Sequence, residues 1–215
     1  MQKFRGVFIG ALLIYTAGLF CLAGCGVEEP DGQMTSLQIG KDGIVTSNIV
    51  EDFGKDIYTI DTLRAMLQEE IDDYNISHPE AVSLQAAALS LEESGTVMVT
   101  LQYASCEDYT DFNGVELFYG TPEEAQAAGY SLNAEFLDTG GNAVNISAQE
   151  ILAIKDAKIL IIRQSAQVSR VSLPDKVLYM SEGTVLASSR IVELPGPEDK
   201  ADIEWQGELT YVITK

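Results

Sequence analysis

The residues that most enzyme and metal chemistry relies on are scarce in this chain. Its 215 residues include one histidine, one tryptophan and three cysteines. A structural zinc site draws four ligands from closely spaced Cys and His, and His78 with Cys21, Cys25 and Cys106 offers no such set. There is no G-x-S-x-G, which argues against a nucleophile-elbow hydrolase, and no G-x-x-x-x-G-K-[ST] to cradle a phosphate. Positive charge is also short: 13 Lys and Arg stand against 33 Asp and Glu, a net charge of −20. So acidic a surface repels phosphate backbones, which argues against nucleic acid as a partner. It also repels anionic lipid headgroups, so the folded body is expected to stand off a membrane.

What is present begins with a leader. Lys3 and Arg5 precede VFIGALLIYTAGLF at residues 7–20, uncharged and mostly apolar, and then LAGC at residues 22–25. A short cationic start, an apolar run of this length and closing small residues make a secretory signal peptide. A membrane-spanning helix needs about 20 apolar residues; residues 7–23 reach only the short end of that range, which leaves an uncleaved anchor helix as the alternative. The LAGC sequence resembles the lipobox of bacterial lipoproteins. That resemblance implies a diacylglyceryl thioether on Cys25, cleavage between Gly24 and Cys25, and a mature chain that starts at the lipidated cysteine. Two acyl chains anchor a protein stably where one holds it only marginally. The expected location is the outer face of the bacterial cytoplasmic membrane, with the membrane contacted through the lipid on Cys25.

On this reading residues 1–24 are the signal peptide, 25–35 a lipidated flexible tether and 36–215 a single domain. The tether sequence GVEEPDGQMT, residues 26–35, is polar and contains Gly and Pro. It is a flexible composition, and its ten residues reach about 33–36 Å when extended. With Cys21 lost and Cys25 lipidated, Cys106 is the sole thiol. No intramolecular disulfide can then form, and the body must be held by its core.

The body reads as alternating elements. SLQIG and IVTSNIV flank a turn at Lys41, Asp42 and Gly43 and are expected to be strands. Ile60, Leu63, Met66, Leu67, Ile71 and Tyr74 fall on one face of a 3.6-residue period, with Asp61 as the expected N-cap. AVSLQAAALSL and TVMVTLQY read as a hairpin joined at residues 92–95, with a bulge near residues 86–88. Ser105 precedes a short helix ending at Asn113 and Gly114, and VELFY follows as a strand. Thr121, Pro122 and Glu124 make one capping box, with Gly129 as its stop; Ser147 and Glu150 make a second. DTGGNAVN, between them, reads as an exposed loop. KILIIR is an unbroken apolar run expected to be the central strand, followed by strands in VSRVSL, KVLYM, SRIVEL and ELTYVIT. These elements predict an α+β fold: a mainly antiparallel sheet with one long helix and several short capped helices.

Few residues suggest chemistry. A nucleophilic Cys106 needs a nearby base, and nothing in the sequence brings His78 to it. Glu69, Glu70, Asp72 and Asp73 fall largely off the apolar helix stripe and read as a solvated face. Aligning Gly114 with the sixth position of a calcium loop puts Tyr109 first and Gly120 twelfth, where an acid and a bidentate glutamate belong, so the match fails. The N-x-S matches at Asn75 and Asn145 carry no weight in a bacterial product. Tyr109, Phe112, Phe118, Tyr119 and Tyr130 cluster in the middle of the chain, with Trp205 near the end. Phe112, Phe118 and Trp205 read as core, and an exposed tyrosine platform for carbohydrate is the alternative.

The lipobox, the acidic tether, the acidic body and the segment VELFYGTPEEAQAAGY resemble the lipoproteins of Gram-positive, gut-type bacteria. That resemblance brings no activity and no site residue beyond Cys25. The expectation is a surface-anchored, non-enzymatic binding or interaction module with no catalytic, cofactor or metal residues, whose partner is an extracellular protein or glycan. The alternatives are a carboxylate-dependent enzyme acting on cell-wall or extracellular polymer, and a solute-binding component of an importer.

Overall fold

The computed structural model describes residues 34–52, 59–89, 96–165, 168–196 and 206–215. The leader, Cys25, nearly all of the tether, the connection at 92–95 and Trp205 lie outside the described residues. The strands are β1 (Ser36–Ile39), β2 (Val45–Asp52), β3 (Val82–Leu89), β4 (Thr96–Tyr103), β5 (Leu117–Gly120), β6 (Phe136–Asp138), β7 (Ala143–Val144), β8 (Lys158–Ser165), β9 (Arg170–Ser172), β10 (Val177–Ser181), β11 (Val185–Ser188), β12 (Ile191–Glu193) and β13 (Gln206–Thr214). The helices are α1 (Ile60–Ser77), α2 (Cys106–Asn113), α3 (Pro122–Ala127) and α4 (Ala148–Leu152).

The α+β expectation is corrected by this arrangement. The chain is mainly β, with a seven-stranded sheet ordered β11-β12-β9-β1-β2-β4-β3 and a six-stranded sheet ordered β5-β8-β13-β10-β6-β7. The physical reason lies in what each element buries. Within α1 only Ile71 is fully buried, and Met66, in the expected apolar stripe, is 52% exposed. The strands supply the core: in register across all seven strands of the first sheet run Leu186, Val192, Val171, Leu37, Ser47, Leu101 and Leu84. Leu160, Ile162, Val212 and Met180 of the second sheet belong to the same cluster.

Period-two alternation gives the second sheet another buried face. Ile159, Ile161, Ile213 and Phe136 pack there with Ala125 of α3, Leu132 and Ile151 of α4. The KILIIR run is therefore apolar throughout because β8 is covered on both sides, and its residues 159–162 are 0% exposed. Beyond β8 the chain returns to the first sheet at β9, crosses back at β10, returns for β11 and β12, and ends in the second sheet at β13. This stitching holds the two sheets face to face. β9 pairs parallel with β1, while the other pairings are antiparallel.

Local details differ from the sequence reading in three places. The N-cap of α1 is Thr59, whose hydroxyl accepts from Thr62 N–H, and Asp61 sits inside the first turn. The β3 bulge lies between Leu84 and Ala86, slightly before the alanine run. DTGGNAVN contains β7, because the Asp138 carboxylate accepts from Gly140 and Asn142 N–H and closes a turn that pairs Ala143 with Leu137. Those donors hold Asp138 below its ordinary carboxylate range, with the Asn142 backbone contributing most. No helix among the described residues is long and apolar enough to cross a membrane.

The edge of the first sheet at β3 is shielded by α1. The Asn75 side chain donates to Val82 O at 2.8 Å and accepts from Val82 N–H at 3.0 Å, taking the place of a neighbouring strand. Arg64 donates to Ala87 O further along the same edge. Unpaired strand edges template association with other chains. Asn75→Ala leaves two backbone groups of the buried Val82 without partners and is expected to cost about 1–3 kcal/mol. Urea unfolding checks this, and a loss below about 0.5 kcal/mol contradicts the role assigned to Asn75.

Candidate functional site

The segment VELFYG builds one side of the site. Val115 is buried, and Arg163 N–H donates to Glu116 O at 2.9 Å, which extends the β5–β8 pairing by one residue. Phe118 pairs with Ile161, which also pairs with Tyr211 of β13, and Leu209 of β13 pairs with Arg163. Alternation therefore places two rows on one face of three strands: Glu116, Arg163 and Leu209, then Phe118, Ile161 and Tyr211. Beside them the capped α3 ends at Gly129 (φ 96°), where the positive angle turns the chain back. Tyr130 N–H is bonded to Ala125 O at 3.0 Å, and its ring lies 5.3 Å from Phe118, tilted by 50°.

An ion pair occupies this half-buried aromatic surface. Arg163 Nη2 lies 2.6 Å from Glu116 Oε2, both side chains are about a third exposed (33% and 34%), and Arg163 Nη1 donates to Gly207 O at 3.3 Å. The charges shape their neighbours. Burial, then the Glu116 carboxylate, pushes the Tyr130 phenol up to about 12, with Arg163 opposing. The Tyr211 phenol is raised by burial and by Glu116, again against Arg163. Both phenols therefore stay neutral hydrogen-bonding groups in ordinary conditions. A guanidinium carries five N–H donors, more than these two contacts use. The result is three half-buried aromatic rings beside a fixed, formally neutral donor–acceptor pair.

The aromatic cluster expected from the sequence is divided between different places. Phe118 and Tyr130 lie on this platform. Tyr109 is 3% exposed, edge-on to Tyr103 at 5.1 Å, and Phe112 packs edge-on against Tyr74 and Tyr103. Tyr119 follows Phe118 in β5 and so points to the opposite face, where its hydroxyl lies 3.4 Å from Asp175 and from Thr214. Glu116, Arg163 and Tyr211 were not anticipated, since 47 residues separate the ion pair. The available signal was Arg163 itself, a charge closing an apolar strand.

Other candidate groups have structural roles. Cys106 is half-buried, and burial pushes its thiol up to about 11 against a hydrogen bond with the Tyr119 backbone. His78 caps the C-terminus of α1 and stacks on Tyr74 at 4.3 Å, with Nδ1 beside Ser77 Oγ and Tyr74 O. Thiol and imidazole thus have different partners. Glu69, Glu70, Asp72 and Asp73 are exposed. Asp108 accepts from the Ser105 hydroxyl at 2.6 Å at the start of α2. Among the described residues no three His, Cys, Asp or Glu side chains converge to hold a metal ion.

Among the described residues the carboxylates with shifted acidity are Glu124, Glu150 and Asp138, and all three are more acidic than usual. The leading causes are N–H donors at two capping boxes and one turn. A catalytic general acid requires the opposite shift. Comparison of the chain with protein-family models, with curated proteins and with solved structures gives no match, so function is argued from the geometry of the site.

Proposed function

We propose that this protein is a lipid-anchored, non-enzymatic binding module that works outside the bacterial cytoplasmic membrane. The observation that carries the binding role is the platform of Phe118, Tyr130 and Tyr211 around the Arg163–Glu116 pair. Half-buried aromatic rings beside a few oriented polar groups are the usual make-up of a recognition site. The anchor rests on the sequence: a cationic start, an apolar run and LAGC ending at Cys25.

Membrane fractionation of cells producing the parent and Cys25→Ser tests the anchor. The parent is expected to sediment with membranes, and the variant, lacking its lipid-bearing thiol, to lose that attachment. A variant still processed and membrane-bound like the parent rejects lipidation at Cys25.

A further inference from the structure

We propose that the platform recognises a neutral carbohydrate, an inference that rests on the reading of this face as the binding surface. Sugar rings present apolar C–H faces together with hydroxyls that both donate and accept. The platform answers both features. Phe118, Tyr130 and Tyr211 give half-buried aromatic surface: Phe118 and Tyr211 share one side of the sheet because both register on Ile161, and the Tyr130 ring lies 5.3 Å from Phe118. Arg163 and Glu116, locked at 2.6 Å and about a third exposed, place a donor group and an acceptor group side by side.

Burial and charge define the class further. Ile161, between Phe118 and Tyr211, is fully buried, so the accessible part is the rim where Glu116 and Arg163 stand beside the Phe118 and Tyr130 rings. Within the site the guanidinium is balanced by its carboxylate, so no excess positive charge is offered to an anion. The rest of the chain carries a net charge of −20 before any processing, and its field repels polyanions such as uronate polymers and teichoic acids. A neutral chain meets no such penalty. The neutral phenols of Tyr130 and Tyr211 add hydroxyl groups at the rim, kept protonated by burial and by Glu116.

Saturation-transfer NMR on the full chain in detergent micelles tests the assignment. The probes are cellohexaose, maltohexaose, xylohexaose and chitohexaose, with oligogalacturonate as the anionic comparison. At least one neutral probe is expected to show transfer to its ring C–H protons, and oligogalacturonate none. Tyr130→Ala, which removes one stacking ring outside the strands, is expected to weaken binding about ten-fold. Glu116→Gln, which keeps the volume but breaks the ion pair, is expected to weaken it by a similar factor. His78→Ala, at the separate stack on Tyr74, is expected to leave it unchanged.

No transfer with any neutral probe overturns the sugar assignment, as does equal binding of oligogalacturonate. Binding kept in Tyr130→Ala and Glu116→Gln, with circular dichroism showing both folded, moves the site off the platform and also overturns it, whatever His78→Ala does. Shortening of a bound hexasaccharide overturns the non-enzymatic reading instead. The anchor stands or falls separately, on fractionation of Cys25→Ser.

Discussion

Ile161→Ala and Ile162→Ala are each expected to destabilise the protein by about 2–5 kcal/mol, although neighbouring residues on a strand face opposite ways. In a strand with one wet face, only one of the two substitutions is costly. Here both side chains are 0% exposed. Ile162 packs between the sheets with Leu117, Leu160 and Val212, and Ile161 lies in the second cluster with Ala125, Phe136 and Ile213. Each truncation removes buried methyl and methylene groups and leaves a cavity that a β-sheet can only partly close. Urea unfolding of the two variants measures the effect. A cost below about 1 kcal/mol for Ile161→Ala means that the layer formed by α3, α4 and Leu132 does not seal the second sheet.

Alkaline solution is expected to unfold the protein cooperatively, with tyrosinate appearing late. Burial pushes the phenols of Tyr103, Tyr119 and Tyr130 up to about 12 and the Cys106 thiol up to about 11, and it raises Tyr109 further. For each group the folded state favours the neutral form. The stability it contributes is complete below the unfolded value, 10.0 for the phenols and 9.0 for the thiol, and is lost as pH rises through the folded value. Stability should therefore fall from about pH 9 toward pH 12. A tenfold change in acidity between the folded and unfolded chain corresponds to about 1.4 kcal/mol. Tyr103, fully buried beside Tyr109, therefore accounts for a loss on the order of 3 kcal/mol. Near-ultraviolet absorbance of tyrosinate and near-ultraviolet circular dichroism should change together. Ionisation of most tyrosines near their ordinary value, with the dichroism intact, contradicts the packing described for Tyr103, Tyr109 and Tyr119.

The platform shows why binding sites on sheets are hard to see in one dimension. Phe118 and Tyr119 are adjacent in the chain, yet strand alternation assigns one to the platform and the other to the opposite face with Thr214. Conversely, Glu116 and Arg163 form a single polar unit across 47 residues. Composition near residue 118 indicates aromatic surface, but only strand pairing selects which rings share a face and which charges accompany them.

Features governed by contacts over three or four residues were legible from the sequence. The capping boxes at Thr121 and Ser147, the Ser105 cap and the left-handed Gly114 end of α2 all depend on short-range hydrogen bonds, and they occur as the local sequence specifies. The choice of Thr59 over Asp61 as the α1 cap is a shift of two residues within the same helix start. Tertiary structure decided the balance of the fold and the makeup of the site. The amphipathic period of α1 is present in the sequence, but how much of that face is covered depends on the sheet it meets, and only Ile71 becomes fully buried. The parallel pairing of β1 with β9 and the stitching of two sheets through β8 to β13 involve partners far apart in the chain. No local propensity encodes those pairings; they are selected by the apolar area that two sheets bury together.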